Sequence, residues 1–154
     1  MQFSTNRSAP KVLLAHLKTV QKSPTTQAYE GMALAMQAKG VFNPVLKLSR
    51  FISATKKIDN AIQTEPHNIE IRFIRYVLQK NTPAMVGYNQ HINSDLNKIL
   101  ELLASVQVTN SVYQWLPAII NELSESSHIS EAQRNVLSEV RKKITQYDGA
   151  SSTG

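Results

Sequence analysis

The chain has 154 residues, 42% hydrophobic and 18% charged, with a net charge of +6 and no cysteine. That length and apolar content suffice to bury a core of ordinary size and exclude a disordered chain. The lack of cysteine excludes disulfides, thiolate zinc sites and cysteine nucleophiles, and no apolar run approaches the length that spans a bilayer.

Helix signals run from end to end, with no sustained two-residue alternation to compete. Residues 1–9 have no period and read as a flexible N-terminus. From Pro10 to Gln21, Leu13, Leu14, Leu17 and Val20 share one helical face. Ser23 and Pro24 cap and start a second helix, Gly40 suits a left-handed cap at its end, and Ala28, Gly31, Ala33 and Ala35 permit close approach of a neighbour. Asn43 and Pro44 repeat the same start signal, with Leu48, Ile52, Thr55, Ile58 and Ile62 at helical spacing and Pro66 as the stop. Asn68 caps a helix over 69–80. Thr82 and Pro83 mark another start, which Gly87 breaks. Ile92, Leu96, Ile99, Leu100 and Leu103 form a stripe. Residues 110–123 are helical by period, with Pro117 forcing a kink or a restart. Ser130 and Gln133 have capping-box spacing ahead of a final helix. The expectation is an all-α fold: a single compact bundle of six to seven helices over residues 10–147, with 148–154 as a flexible C-terminal tail.

Charge is uneven along this frame. Residues 1–58 hold nine Lys or Arg against one acid, Glu30, whereas residues 59–154 hold eight against ten. A basic first third points to an acidic partner (nucleic acid, an anionic membrane surface or an acidic protein) or to a solvated face that aids solubility. Lys47, Arg50 and Lys57 share one helix face, a spacing that suits a phosphate row or an acidic strip; the alternative is a lysine-rich solvent face. Apolar residues cover more than half the circumference of the 69–80 helix, leaving Arg72, Arg75 and Gln79 as a narrow polar stripe. Charges on so apolar a helix need partners. Arg72 and Arg75 therefore read either as an internal ion-pair network with Asp95 or Glu70, or as a clamp for an anion or peptide carboxylate.

Nothing in the sequence carries catalysis. The five glycines are isolated, no serine sits in an elbow motif, and no paired carboxylates stand in an apolar frame. His91 and Asp95 lie one turn apart, as two metal ligands or an exposed hydrogen bond would, and no third ligand accompanies them. Trp115, with Leu116, Ile119 and Leu123 at helical spacing, reads as core. No cofactor, metal or catalytic residue is expected. The N-terminus lacks the pattern of a secretory signal, which leaves a cytoplasmic protein or a mature form whose signal has been removed.

Ala54, Ile58, Ala61 and Pro66 sit where the second helix of a tetratricopeptide repeat carries its small, large, small and proline residues, with Tyr29 to Met36 as the first partner helix. The resemblance covers about 40 residues. It departs from the repeat at the longer loop "KGVFNP", and Arg72, Arg75 and Tyr76 stand where a following repeat has large apolar and small residues. Pro66, Asn68, Glu70, Ile71, Arg72, Phe73, Arg75, Pro83, Gly87 and Tyr88 also resemble a run in a group of uncharacterised bacterial proteins, many from Bacteroidetes. That likeness implies a shared helical fold and no known activity; members often carry export signals. The combined reading is a non-enzymatic helical module that binds a protein or peptide. The alternative is a binder of anionic partners through the basic N-terminal third.

Overall fold

Local capping chemistry places most helix starts in the computed structural model, which describes residues 8–126 and 129–151. α1 spans Ala9–Leu17, α2 Pro24–Ala38, α3 Pro44–Thr64, α4 Ile69–Lys80, α5 Ile92–Ala104, α6 Asn110–Tyr113, α7 Leu116–Ser124 and α8 Glu131–Ser151, with a 3-10 turn at Ala84–Val86. The fold is all-helical, with no strand among the described residues.

Each cap satisfies amides that the helix leaves free. Ser23 and Thr26 form a reciprocal box at the start of α2, Thr26 N–H donating to Ser23 Oγ (3.1 Å) and Ser23 N–H to Thr26 Oγ1 (2.8 Å). Asn43 Oδ1 accepts from Leu46 N–H at 3.0 Å, and Asn68 Oδ1 from Ile71 N–H at 3.2 Å. Ser130 and Gln133 close the expected box at α8, at 2.9 and 3.3 Å.

Helix ends depart further from expectation. Gly40 is not a left-handed cap: α2 unwinds through successive tight turns, with Lys39, Gly40 and Val41 N–H groups donating three residues back, so no positive φ is needed. The left-handed glycine is Gly87 (φ 72°), which ends the 3-10 turn. α1 stops at Leu17 rather than Gln21; there the Lys18 and Thr19 N–H groups donate three residues back, and the Thr19 hydroxyl also donates to the His16 carbonyl (2.8 Å). At Pro117 the helix restarts: α6 ends at Tyr113 and α7 begins at Leu116 with the proline in its first turn, where a missing N–H leaves no bond unmade. α8 runs on to Ser151, so the first residues of the expected tail, 148–151, are helical. Of the expected flexible N-terminus, residues 1–7 lie outside the described residues, as do 152–154 of the tail.

Within the span read from sequence as one domain, the residues gather into two units, 2–95 and 96–154. In the first, α2 packs on α1, α3 and α4, and α3 packs on α4. Its core holds Ala28, Met32, Ala35, Ala54, Ile58, Ala61, Ile62, Ile71, Ile74 and Leu78. The α2–α3 contact is so close that a Cβ on Gly31 would lie 2.7 Å from both the Ala54 carbonyl oxygen and Ile58 Cγ1. In the second unit α7 packs on α6 and α8. Leu96, Ile99, Leu103, Leu116, Ile119, Ile120, Leu123, Leu137 and Val140 are buried, and Trp115 is half-buried beside them in sequence. Among the described residues no helix is long and apolar enough to cross a membrane.

Candidate functional site

The first unit carries two polar arrangements and one bare apolar surface. The polar stripe of α4 meets the first turn of α5 at Asp95, which is 0% exposed. Arg75 grips this carboxylate with two parallel bonds, Nε to Oδ2 at 2.7 Å and Nη2 to Oδ1 at 2.8 Å, and gives Nη1 to Asp59 Oδ1 on α3 at 3.1 Å. Arg72 adds Nη1 to Asp95 Oδ1 at 2.8 Å and donates Nε to the Pro66 carbonyl at 2.6 Å. Gln79, one turn beyond Arg75, donates to Asp95 Oδ2 (3.0 Å) and accepts the His91 backbone N–H (2.9 Å). The Tyr88 hydroxyl donates to Asp59 Oδ1 at 3.2 Å, and its ring meets Phe51 edge to face at 5.6 Å. Every buried side-chain nitrogen and oxygen among the described residues has a partner.

This geometry explains the electrostatics. Burial pushes the Arg75 guanidinium toward losing its proton, but hydrogen bonds and charge from Asp95 and then Asp59 outweigh burial and hold its pKa above the ordinary value. Burial raises the Tyr88 phenol, and the Asp59 charge raises it further against the opposing pull of Arg75. Glu70, left open in the sequence reading as an arginine partner, instead accepts the Tyr29 hydroxyl at 2.6 Å. Burial, then this bond and the Glu70 charge, raise the Tyr29 pKa.

Arg72 and Arg75 are thus brought together in an internal ion-pair network. A ligand carboxylate would have to displace Asp95 to reach the Arg75 fork. Asp95 likewise turns its carboxylate to the arginines rather than to His91, and no cluster of three potential metal ligands occurs among the described residues. Of the additional members, Gln79 lay on the visible stripe. Asp59 and Tyr88 come from other segments, and no local spacing signals them.

The basic stripe is divided. Lys57 leans onto α2, where its Nζ meets Glu30 Oε2 at 3.0 Å; Lys22 meets Glu30 Oε1 at 3.4 Å. The Lys57 hydrogen bond is the leading cause of a lowered Glu30 pKa. These residues border a cleft of about 380 Å³ that also touches Leu17, Ser23 and Thr64. Lys47 and Arg50 are exposed and, with Lys39 and Lys56, have no ion partner among the described residues. All seven residues from Pro44 to Arg50 are exposed, so the first two turns of α3 stand clear of the core.

The expected apolar face of α3 therefore buries only its second half. Thr55, Ile58 and Ile62 are buried, whereas Val45, Leu48 and Ile52 are 79%, 46% and 44% exposed, and Phe42 just before the helix is fully exposed. The cause is length. α3 has 21 residues, about 31 Å, against 12 residues, about 18 Å, for the α4 helix beside it. Comparison of the chain with protein-family models, with curated proteins and with solved structures gave no match.

Proposed function

We propose that this chain is a non-enzymatic helical module that docks a protein or peptide partner, with the α2–α3 hairpin as a tetratricopeptide-like element. The observation that carries this reading is the bare apolar line Val45, Leu48 and Ile52, with Phe42 ahead of it, on a helix whose other half buries Thr55, Ile58 and Ile62. Contiguous exposed apolar side chains mark interaction surfaces more often than scattered ones do. Fully covering one such side chain is worth about 1.5–3 kcal/mol, less for those already half-covered. After the cost of association, a small surface of this kind supports a weak, reversible contact. The repeat-like element draws support from Ala54, Ile58 and Ala61, all at 0% exposure, which let α2 and α3 approach at Gly31.

A photo-crosslinking residue at Val45, expressed in the source cells, tests the reading. The expected product is one covalent adduct of defined mass with a second polypeptide, lost when Leu48 is changed to Asp. A clean absence of adduct refutes it.

A second reading, binding of an anionic partner through the basic third, rests on Lys39, Lys47, Arg50 and Lys56, which are exposed and unpaired among the described residues. It predicts retention on heparin that falls steeply with salt. Changing Lys39, Lys47, Arg50 and Lys56 together to Gln should abolish that retention, and unchanged retention rules this face out.

A further inference from the structure

The α2–α3 connection and the first two turns of α3 form an exposed tip. Residues 39, 40 and 42–50 all face solvent, Phe42 fully and Val45 at 79%. Phe42 directly precedes the Asn43 cap, a position whose apolar side chain often packs on the fourth helical residue. Here that residue is Lys47, so Phe42 finds no such shelter. At 100° per residue, Leu48, Val45 and Leu46 fan across about 160° of the helix circumference. A helix against one neighbour buries an apolar stripe of roughly 100°. A fluid interface entered end-on covers the whole fan at once.

We propose that this tip seats the protein on an anionic phospholipid surface, with Phe42, Val45 and Leu46 among the upper acyl chains and Lys39, Lys47 and Arg50 in the head groups. The proposal rests on the reading of an anionic partner and deepens it by naming that partner's chemistry. Height along α3 carries the charge argument, because in an end-on approach the side of the helix on which a cation lies does not matter. Lys47 and Arg50 stand about 3 and 7.5 Å behind Val45, within reach of a head-group layer. Lys39 flanks the same loop three residues before Phe42. None of the three has an ion partner among the described residues, and no acid lies between Glu30 and Asp59 to oppose them. A few inserted apolar side chains with cations behind them make an interfacial anchor on an anionic leaflet, not a span. Ile52, about 10 Å behind Val45, stays clear of the lipid, so α3 of a seated chain can still dock a protein.

The test uses the full chain and phosphatidylcholine vesicles with or without about one-third phosphatidylglycerol. The expected result is co-sedimentation that falls with salt and is at least about tenfold weaker without phosphatidylglycerol. Phe42→Ser with Val45→Ser, and separately Lys39, Lys47 and Arg50 all to Gln, should each weaken it at least about tenfold. All five positions are exposed, and an unchanged melting curve checks that each variant folds. The chain has no cysteine, so Phe42→Cys and Gln63→Cys each give a single attachment point for an environment-sensitive dye. The dye at position 42 should shift to the blue and be quenched by brominated acyl chains. The dye at position 63, exposed at the far end of α3, should do neither.

Equal co-sedimentation of the double serine variant reduces the contact to bulk charge and overturns the proposal, and so does equal binding to vesicles without phosphatidylglycerol. A dye at position 42 that shifts on concentrating the protein alone assigns the tip to self-association and overturns it. So does a crosslinker at Val45 that captures a polypeptide as fully with anionic vesicles present as without them. If vesicles fail to bind while heparin retention persists, the lipid proposal falls alone. If both fail, the anionic-partner reading falls with it.

Discussion

Replacing Asp95 with alanine removes the acceptor of four hydrogen bonds at once. These come from Arg72 Nη1, Arg75 Nε and Nη2, and Gln79 Nε2, all within 2.7–3.0 Å. Hydrogen bonds to charged groups are worth about 1.5–3 kcal/mol singly, but four that share one carboxylate do not add. The relevant magnitude is that of leaving a buried charge unmatched, about 3–5 kcal/mol. Two features keep the loss from exceeding that range. Arg75 retains Asp59 through Nη1, and Arg72 retains the Pro66 carbonyl with 14% of its side chain open to water. The expected destabilisation is about 4 kcal/mol, a large fraction of the roughly 5–15 kcal/mol that holds a typical domain. Changing Asp95 to Leu, Arg75 to Met and Arg72 to Leu together should recover part of it, because an apolar replacement leaves no buried charge stranded while the buried Gln79 amide still loses its acceptor. Urea denaturation at neutral pH, followed by far-ultraviolet circular dichroism with slopes compared between variants, gives the values. If Asp95→Ala lies within about 1 kcal/mol of the parent, the carboxylate is not a buried hub and no stranded charge governs the stability of these helices.

Gly31→Ala should destabilise by about 1–2 kcal/mol despite alanine's better helix propensity, because its Cβ meets the Ala54 backbone carbonyl, which cannot yield. Gly40→Ala, whose Cβ finds nothing nearer than 3.6 Å, should be neutral or stabilise by up to about 1 kcal/mol, and thermal melting distinguishes the pair. Tyr29 and Tyr88 should ionise above the ordinary tyrosine range of about 10. Since folding raises these two pKa values, their contribution to stability is complete below that range and is lost as pH rises from it through the raised values of the folded protein; ultraviolet titration of Tyr29→Phe and Tyr88→Phe should each delete part of the late component. For Glu30 the sign reverses: its folded pKa is lowered, so its contribution is present above the ordinary glutamate value and is lost as pH falls through the lowered one. Glu30→Gln should flatten the acid limb of the stability profile, and an unchanged limb counts against the Lys57 contact.

Helix starts were legible because their signals are local: Ser23, Asn43, Asn68 and Ser130 each cap within three residues of themselves. Ends were less legible, since nothing near Gly40 or Asp148 encodes whether a helix unwinds by tight turns or continues. The polar network was half readable. The stripe Arg72, Arg75 and Gln79 shows in the period of α4, and Asp95 is one of two acids that the sequence offers it. Asp59 joins it only through the packing of α3 on α4, and Tyr88 only through its contacts with Phe51 and Asp59 of α3. Periodicity shows which residues of α3 share a face but not how far the neighbouring helix reaches, so the exposure of Val45, Leu48 and Ile52 could not be read in advance. The separation into units at Asp95 and Leu96, adjacent residues of one helix, has no compositional marker either.

The Arg75–Asp95 fork also limits how this sequence can drift. Lysine at position 75 keeps the charge but presents a single point donor where two parallel bonds and a third to Asp59 are made. Glutamate at position 95 keeps the acid but adds a methylene in a site with no exposed surface. Each one-step change strands a group whose partner sits on another helix, so positions 72, 75 and 95 should change jointly or not at all. Relatives of this chain should carry either the whole arginine–aspartate set or an apolar substitute for all of it, with half-sets missing.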